Sequence, residues 1–195
     1  STIFFEKPNK DVLVYSFDGS GDFSTKEIYL GNIESLKLLQ KNIFPHSLGF
    51  YYMAFTQFLG FTNFGDEYKV MALAALGKPI YEDKVLNLIN NTSPFKLNYN
   101  FFNYPKIEYI NNYPVVKKLY SKDFIKLFGQ PRNTKDTKID EYYLNIASSM
   151  QKVFEDLVIN ELKLIKKKYA VEDLYLTGGC AFNSLLVGKI IKSKI

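Results

Sequence analysis

The chain has 195 residues, of which 47% are hydrophobic, so it can bury a sizeable core and has the composition of an ordinary globular protein. Its single cysteine excludes an internal disulfide and favours a reducing, cytoplasmic compartment. The net charge is +5, but the sequence has no stripe of arginine and aromatic residues, which disfavours a nucleic-acid partner. No apolar run approaches the roughly 20 residues of a membrane-spanning helix, which disfavours a membrane partner.

The first segments of the chain predict a β-hairpin. Residues 11–17 (DVLVYSF) form a β-rich apolar run, and residues 25–30 (TKEIYL) alternate polar and apolar side chains. Between them, residues 18–22 (DGSGD) are a strong turn signal, so we expect a hairpin with a glycine-rich tip.

The middle of the chain predicts helices around a small insertion. Apolar residues recur at helical spacing, and Gly60 and Gly77 end the first two helices. The insertion, residues 91–120, is rich in Asn, Tyr, Phe and Pro, and its aromatic side chains either line a substrate pocket or, as we favour, pack the insertion itself. The predicted elements are helices over residues 47–59, 66–76, 82–90 and 122–128, a strand over 95–101, a loop over 129–137 and the longest helix over 139–168.

The last segment predicts a buried strand over residues 173–177, a turn at Gly178 and Gly179, and a helix from Phe182 to the end. Strands at both ends with helices between them indicate an α/β domain. Because the last helix has no stop signal, we expect the domain to continue beyond residue 195.

Two glycine-rich turns have the mechanics of ligand binding. Around Asp18, the residues Gly19 and Gly21 let backbone N–H groups form an anion-binding concavity, and the carboxylate can hold a metal bridged to phosphate. At Gly178 and Gly179, a strand passes into a helix N-terminus, a geometry that suits a nucleotide phosphate. Each segment is also explained as a tight turn without a ligand.

Four further side chains are weaker candidates. Asn183 could hydrogen-bond a ribose or a base edge, and Lys69 either reaches a phosphate or lies on a solvated surface. His46 is the only histidine, so a helix-start or packing role is favoured over a metal site. Cys180 follows the glycines at a helix N-terminus, but no base is apparent, which favours a small buried residue.

Several blocks occur together in an order and spacing that resemble one family, the nodulation-type O-carbamoyltransferases, which include the tobramycin and cephamycin carbamoyltransferases. The most specific block is residues 65–79, GDEYKVMALAALGKP. The other blocks are residues 17–22 (FDGSGD), 45–52 (PHSLGFYY), 59–61 (LGF), 127–132 (LFGQPR), 146–151 (IASSMQ) with Glu155, and 176–183 (LTGGCAFN).

The resemblance implies an actin-like fold of the sugar-kinase and chaperone ATPase type (ribonuclease H-like), here incomplete and carrying the small β insertion. Residues 1–195 would be the central part of an N-terminal carbamoyltransferase domain. In the family, carbamoyl phosphate and ATP form a carbamoyl-adenylate in a separate C-terminal domain, which is absent here. The actin-like domain transfers the carbamoyl group to a hydroxyl of a sugar or antibiotic, with a divalent metal, usually iron, nearby. A homodimer is a further expectation.

The resemblance also implies roles for single residues. Asp18 and Gly19 match the family's Asp-Gly loop near the metal and nucleotide, and Gly178, Gly179 and Asn183 match its nucleotide-contacting turn. Of the remaining matched residues, Glu67, Lys69 and Arg132 are expected to contact substrate or phosphate. Gln151 lies in a block that is expected to shape the cleft.

This sequence departs from the family in ways that limit the expected activity. The family usually has Gly-Glu where this chain has Gly21 and Asp22, so the carboxylate is kept but shortened. The family's metal-binding histidine pair does not occur, and a further metal-binding aspartate would lie beyond Ile195. We therefore expect Asp18 to bind metal weakly and the chain alone to show no turnover.

Two other functions stay open at this point. A tRNA-modifying threonylcarbamoyl transferase shares the fold and the adenylate chemistry, although residues 67–71 (EYKVM) and the lack of a basic patch disfavour it. A non-catalytic, nucleotide-binding scaffold module is the alternative from another class, because a fold does not determine a function.

Overall fold

The computed structural model describes residues 10–90, 94–110 and 113–194. The chain divides into two compact units: unit 1 runs up to Gly49 and resumes at Glu155, and unit 2 is Phe50–Phe154. Both strands and helices are present, which confirms the predicted α/β class. No described helix is both long and apolar enough to cross a lipid bilayer.

The described elements follow in chain order. They are β1 (Val12–Gly21), β2 (Ser24–Gly31), β3 (Leu36–Ile43), α1 (Leu48–Phe58), α2 (Glu67–Ala74), α3 (Glu82–Leu86), β4 (Ile89–Asn90), β5 (Lys96–Leu97), β6 (Ile107–Ile110), β7 (Tyr113–Val116), α4 (Lys122–Phe128), α5 (Glu141–Tyr169), β8 (Asp173–Thr177), a 3-10 turn (Gly179–Phe182) and α6 (Ser184–Lys192).

Unit 1 is built on a sheet with the strand order β3–β2–β1–β8. The first three strands form an antiparallel meander, and β8 runs parallel to β1 with Val12 opposite Asp173. β8 lies at the edge of this described sheet, so its side chains are only partly buried, whereas the sequence predicted a buried strand. The sequence analysis missed β3, whose Leu36 and Leu38 are exposed and give no alternating apolar pattern.

The core of unit 1 follows from the alternation along β1. Leu13, Tyr15 and Phe17 point to one face of the sheet and are at most 4% exposed. Helices α5 and α6 supply further buried apolar side chains at helical spacing, among them Val158 and Leu186. Each fully buried side chain of this size contributes roughly 1.5–3 kcal/mol to folding.

One carboxylate ties helix α5 to all three strands of the meander. Glu161 accepts hydrogen bonds from the Tyr15 hydroxyl, from Lys26 Nζ at 2.5 Å and from Gln40 Nε2 at 2.6 Å. Burial lowers the pKa of Lys26, and the adjacent Glu161 opposes that shift. Burial, reinforced by Glu161, raises the pKa of Tyr15 well above its usual range. The cluster therefore contains a buried ion pair with its hydrogen-bond donors on three strands.

Unit 2 has an aromatic core that joins α1 to α4. The rings of Phe55 and Phe58 have their centroids 5.0 and 5.2 Å from that of Phe124, which lies 4.8 Å from Phe128. Such pairs add about 0.5–1.5 kcal/mol each beyond the area that they bury. Several of the chain's phenylalanines therefore pack in the core of unit 2.

The insertion departs from its prediction. The helix expected over residues 82–90 ends at Leu86, because Asn87 caps it and the chain then enters the short strand β4. The strand expected over residues 95–101 is shorter and covers only Lys96–Leu97. It ends there because the Asn98 side chain accepts from Asn100 N and starts a turn. A second pair, β6 with β7, completes the insertion, of which residues 91–93 and 111–112 lie outside the described ranges.

The remaining helices agree with the sequence within a few residues. Helix α4 covers the predicted residues 122–128, and Ser121 caps it by accepting from Asp123 N and Phe124 N. The longest helix runs over Glu141–Tyr169 instead of 139–168. The last helix begins at Ser184 rather than Phe182, because a 3-10 turn precedes it.

Glu161→Gln should destabilise the protein by about 3–5 kcal/mol, because it leaves the Lys26 ammonium buried without its counter-charge. Urea unfolding at pH 7 measures this loss. The matched control is Glu108→Gln, which breaks the exposed pair with Lys117 and should cost less than about 1 kcal/mol. Equal losses in the two variants would show that the Glu161 cluster has no special role in stability.

Candidate functional site

The glycine-rich segment after Phe17 is a bulge, and the hairpin tip follows it. The β1–β2 register runs to Phe17 opposite Lys26 and then jumps to Gly21 opposite Ser24. Asp22 and Phe23, both with positive φ, form the two-residue turn. The expectation that residues 18–22 make the tip is therefore corrected: the bulge directs residues 18–20 away from the regular ladder.

The second glycine turn lies beside this bulge. Because β1 and β8 are parallel and their pairing ends with Ser16 opposite Thr177, the bulge of β1 and the turn after β8 follow the same end of that pairing. Just beyond that end, Gly179 N donates to Asp18 Oδ2 at 3.0 Å, while Gly19 N donates to Asp18 Oδ1 at 2.7 Å. The structure thus brings together the two turns that the sequence singled out. The Asp18 carboxylate, although exposed, links them directly.

Close backbone approach explains three glycines of this junction. A Cβ atom on Gly178, whose φ is +89°, would lie 2.3 Å from the Phe17 carbonyl oxygen. A Cβ on Gly179 would lie 2.9 Å from Asp18 Oδ1, and one on Gly49 would lie 2.6 Å from Gly19 Cα. Backbone atoms therefore leave no room for a Cβ at Gly178 and Gly49, whereas a Cβ at Gly179 would displace the Asp18 side chain.

Residues before α1 complete the junction, and the sequence analysis missed their part in it. The Ser47 hydroxyl donates to the Asp18 carbonyl oxygen at 2.8 Å, which holds the bulge against the start of α1. His46 donates its backbone N–H to Ile43 O and accepts from the Thr25 hydroxyl through its carbonyl, which agrees with its expected helix-start role. The available signal was the block at residues 45–52, which contains Ser47 and Gly49.

The other residues predicted near the second turn lie as follows. Asn183 is buried and caps α6, because its Oδ1 accepts from Leu186 N at 2.9 Å. Cys180, expected to be buried, is partly exposed. Gly21 is exposed at the end of β1, and a Cβ there would meet no atom within 4 Å. Predicted nucleotide contacts at Gly21 and Asn183 stay predictions.

In unit 2, two of the predicted contact residues already bind protein groups. Lys69 pairs with Asp66 at 2.7 Å and lies over the Phe61 ring. Arg132 is buried, donates to Leu59 O at 2.6 Å and Asp136 O at 3.0 Å, and its guanidinium carbon lies 5.1 Å from the Phe61 ring centre. Arg132 therefore secures the chain where α1 ends, and a phosphate contact there stays a prediction.

Glu67 lines a cavity that the sequence did not reveal. This Phe61 cavity has a volume of about 380 Å³, and α1, α2, the loop between them and β7 form its walls. Burial raises the pKa of Glu67, and the nearby Asp66 adds to the shift. Its lining includes the side chains of Met53, Phe61, Thr62, Asn63, Phe64 and Glu67.

The described residues do not assemble a metal site. Across residues 10–90, 94–110 and 113–194, no group of three or more His, Cys, Asp or Glu side chains could hold an ion. Asp18 is the one ligand that the sequence proposed, and both of its oxygens accept backbone N–H bonds. These residues therefore do not fit a divalent metal by themselves.

Comparison with known proteins adds independent information. A family model described as "Carbamoyltransferase N-terminus" matches residues 1–194. The chain is 33% identical to the uncharacterized protein sll1178 of Synechocystis sp., over 98% of this chain and 30% of that protein. It is 26% identical to nodulation protein NolNO of Sinorhizobium fredii, over 94% of this chain and 24% of that protein. It is 28% identical to nodulation protein NolO of Bradyrhizobium diazoefficiens, over 93% and 30% respectively. The chain thus spans less than a third of the length of these relatives.

Gly178→Ala should lower the free energy of unfolding by about 2–4 kcal/mol, because its positive φ and the Phe17 carbonyl leave no room for a Cβ. Gly188→Ala is the matched control in helix α6, where nothing lies within 4 Å of the added Cβ. Because alanine is the better helix former, the control should gain about 0.5–1 kcal/mol. A neutral Gly178→Ala in urea unfolding would contradict the tight junction.

Glu67→Gln should change how stability depends on pH. The folded-state pKa of Glu67 lies above its unfolded value of 4.5, so the wild type gains stability from the protonated form below pH 4.5 and loses it as the pH rises through the folded pKa. Glutamine cannot ionise, so the stability of the variant relative to wild type should increase as the pH rises above 4.5. Urea unfolding at several pH values between 4 and 7 tests this, and a constant difference would contradict it.

Proposed function

Because the chain belongs to the carbamoyltransferase N-terminus family, we propose that it forms part of the transfer domain of an O-carbamoyltransferase. The domain would move a carbamoyl group from carbamoyl-adenylate to a hydroxyl of a sugar or a sugar-containing metabolite. The observation that carries this proposal is the junction of the two glycine turns, where Asp18 lies against Gly179. Membership of the carbamoyltransferase family supports a small-molecule acceptor.

The sheet supports an actin-like fold for this domain. Its order β3–β2–β1–β8, with three antiparallel strands followed by one parallel to β1, is the pattern expected for the first half of such a fold. In open sheets of this kind, ligands bind beyond the carboxyl ends of parallel strands. Residues 178–179 follow the carboxyl end of β8, and residues 18–20 follow the last β1 residues that pair with β8.

The glycine turns would hold the nucleotide through its phosphates. Gly179 is exposed, and neither Gly178 nor Gly179 has a side chain that would obstruct a ligand at its backbone N–H. The Asp18 carboxylate now accepts the Gly179 N–H, which is the kind of bond that a phosphate oxygen would form. Nucleotide binding would therefore replace that bond and release one Asp18 oxygen for chemistry.

In the proposed transfer, the acceptor hydroxyl oxygen attacks the carbamoyl carbonyl carbon. A new C–O bond forms, the bond between that carbon and the phosphate oxygen of the adenylate breaks, and AMP leaves. Asp18 takes the hydroxyl proton as a general base. Orientation of the two reactants and backbone N–H groups near the developing oxyanion would supply the remaining acceleration.

The source of the adenylate lies outside this chain in the proposal. Carbamoyl phosphate and ATP would react in a separate domain, so ATP is a cofactor of the whole protein. A divalent metal, with iron as the family's expectation, would need ligands beyond the described residues in addition to Asp18. A cytoplasmic location and a homodimer belong to the same proposal.

Asp18→Asn in the natural full-length protein should lower carbamoyl transfer by about 10²–10⁴-fold, because an amide cannot accept the hydroxyl proton. Nucleotide binding should stay within fivefold, since asparagine keeps the shape of the side chain. The assay measures release of AMP with acceptor present, and the affinity for AMP by calorimetry.

Asp11→Asn is the matched control, because Asp11 is an exposed carboxylate just before the start of β1, at the opposite end from Asp18. It should keep full transfer. Unchanged transfer in Asp18→Asn would remove Asp18 from the mechanism. Nucleotide binding without any transfer by the wild type would instead favour the scaffold function.

A further inference from the structure

The Phe61 cavity lies wholly within unit 2 and has the properties of a small-ligand site. Its volume of about 380 Å³ is at the lower end of the range for ligand pockets. Met53, Phe61 and Phe64 give it an apolar surface, and Phe64 is 77% exposed. Thr62, Asn63 and Glu67 are among the polar side chains that line the same cavity.

The walls of the cavity are held in place by hydrogen bonds that do not use these polar groups. Gln57 joins α1 to the end of β7 and the residues that follow it. Its Nε2 donates to Val116 O at 3.2 Å, and its Oε1 accepts from Leu119 N at 2.8 Å. Asp66 fixes the loop by accepting from Asn63 N at 3.2 Å. The cavity is therefore preformed, which lowers the entropic cost of binding a ligand.

The polar groups of the lining retain hydrogen-bonding capacity. Within the described part of the chain, neither the Thr62 hydroxyl nor the Asn63 side-chain amide forms a hydrogen bond with the protein. The Glu67 carboxyl accepts from its own backbone N–H, and burial, with a smaller contribution from Asp66, raises its pKa. Groups of this kind both donate and accept, so they suit hydroxyl groups of a ligand.

The charges around the cavity balance. Lys69 is paired with Asp66 at 2.7 Å, and both Lys69 and Arg132 lie over the Phe61 ring. Glu67 is the one charged residue among the described residues that line the cavity, and its burial disfavours the ionised carboxylate. An anionic ligand would therefore find no opposite charge in the lining, whereas a neutral ligand requires no ionisation of Glu67.

We propose that the Phe61 cavity binds a neutral ring that carries several hydroxyl groups, with Phe64 stacked on its apolar face and Asn63 and Glu67 hydrogen-bonded to its hydroxyls. Naming this ligand the carbamoyl acceptor rests on the transfer function proposed above. The binding itself does not, and it can be tested without nucleotide or turnover.

The test is an NMR titration of the 195-residue chain with labelled methionine methyl groups and backbone amides. The neutral probes are the methyl glycosides of glucose, galactose and mannose, and the charged probes are glucosamine and glucose 6-phosphate. We expect at least one neutral probe to give saturable shifts at Met53 and Asn63, with charged probes at least fivefold weaker. No saturable shift with any neutral glycoside, or a preference for a charged probe, would overturn the proposal.

Variants separate the roles of single residues. Glu67→Ala, Asn63→Ala and Phe64→Ala should each weaken binding about five- to tenfold, the effect of one lost contact. Glu67→Gln should stay within twofold, because an amide both donates and accepts. Tyr68→Ala is the matched control, since Tyr68 is 61% exposed on α2 and does not line the cavity. Equal weakening in all variants, with an intact amide spectrum, would overturn the assigned contacts.

A second measurement tests whether the bound ring is the acceptor. In the natural full-length protein, Asn63→Ala should raise KM for the acceptor five- to tenfold and leave kcat unchanged. Glycoside binding with an unchanged KM would overturn the acceptor assignment and leave the binding site standing. Absence of any carbamoyl transfer in the wild type would refute the transfer function and the identification of the ligand as the acceptor. The binding site itself would not be affected by that result.

Discussion

The parallel pairing of β1 with β8 is the constraint on which the candidate site depends. These strands are more than 150 residues apart in the sequence, yet Ser16 lies opposite Thr177, where their pairing ends. That register places the Asp18 carboxylate within 3.0 Å of the Gly179 amide. A shift of one residue would turn every side chain of β8 to the other face and separate these groups.

The local chemistry of the site was readable from the sequence, but its contacts were not. Gly178 and Gly179 stood out because a strand, two glycines and a helix start follow one another. The bulge at residues 18–20 was not predictable, because nothing local shows that the turn falls on Asp22 and Phe23 instead. The roles of Ser47 and Gly49 also depended on tertiary packing, which brings the start of α1 against Gly19.

The same distinction holds for the fold. Helices α4 and α5 carry strong apolar periodicity and caps, so their limits were predicted within two residues. Strand β3 and the short strands of the insertion lack such patterns, because partner strands rather than their own side chains define them. The Glu161 cluster also depends on tertiary structure, because one helix carboxylate accepts hydrogen bonds from side chains on three strands. No local sequence motif predicts these contacts.

A crystal structure of the natural full-length protein with a non-hydrolysable ATP analogue tests the central claim most directly. The account predicts that phosphate oxygens lie within hydrogen-bond distance of the Gly178 and Gly179 amides, and that Asp18 no longer accepts the Gly179 N–H. A nucleotide bound with its phosphates elsewhere, while the bond from Gly179 N to Asp18 persists, would contradict it.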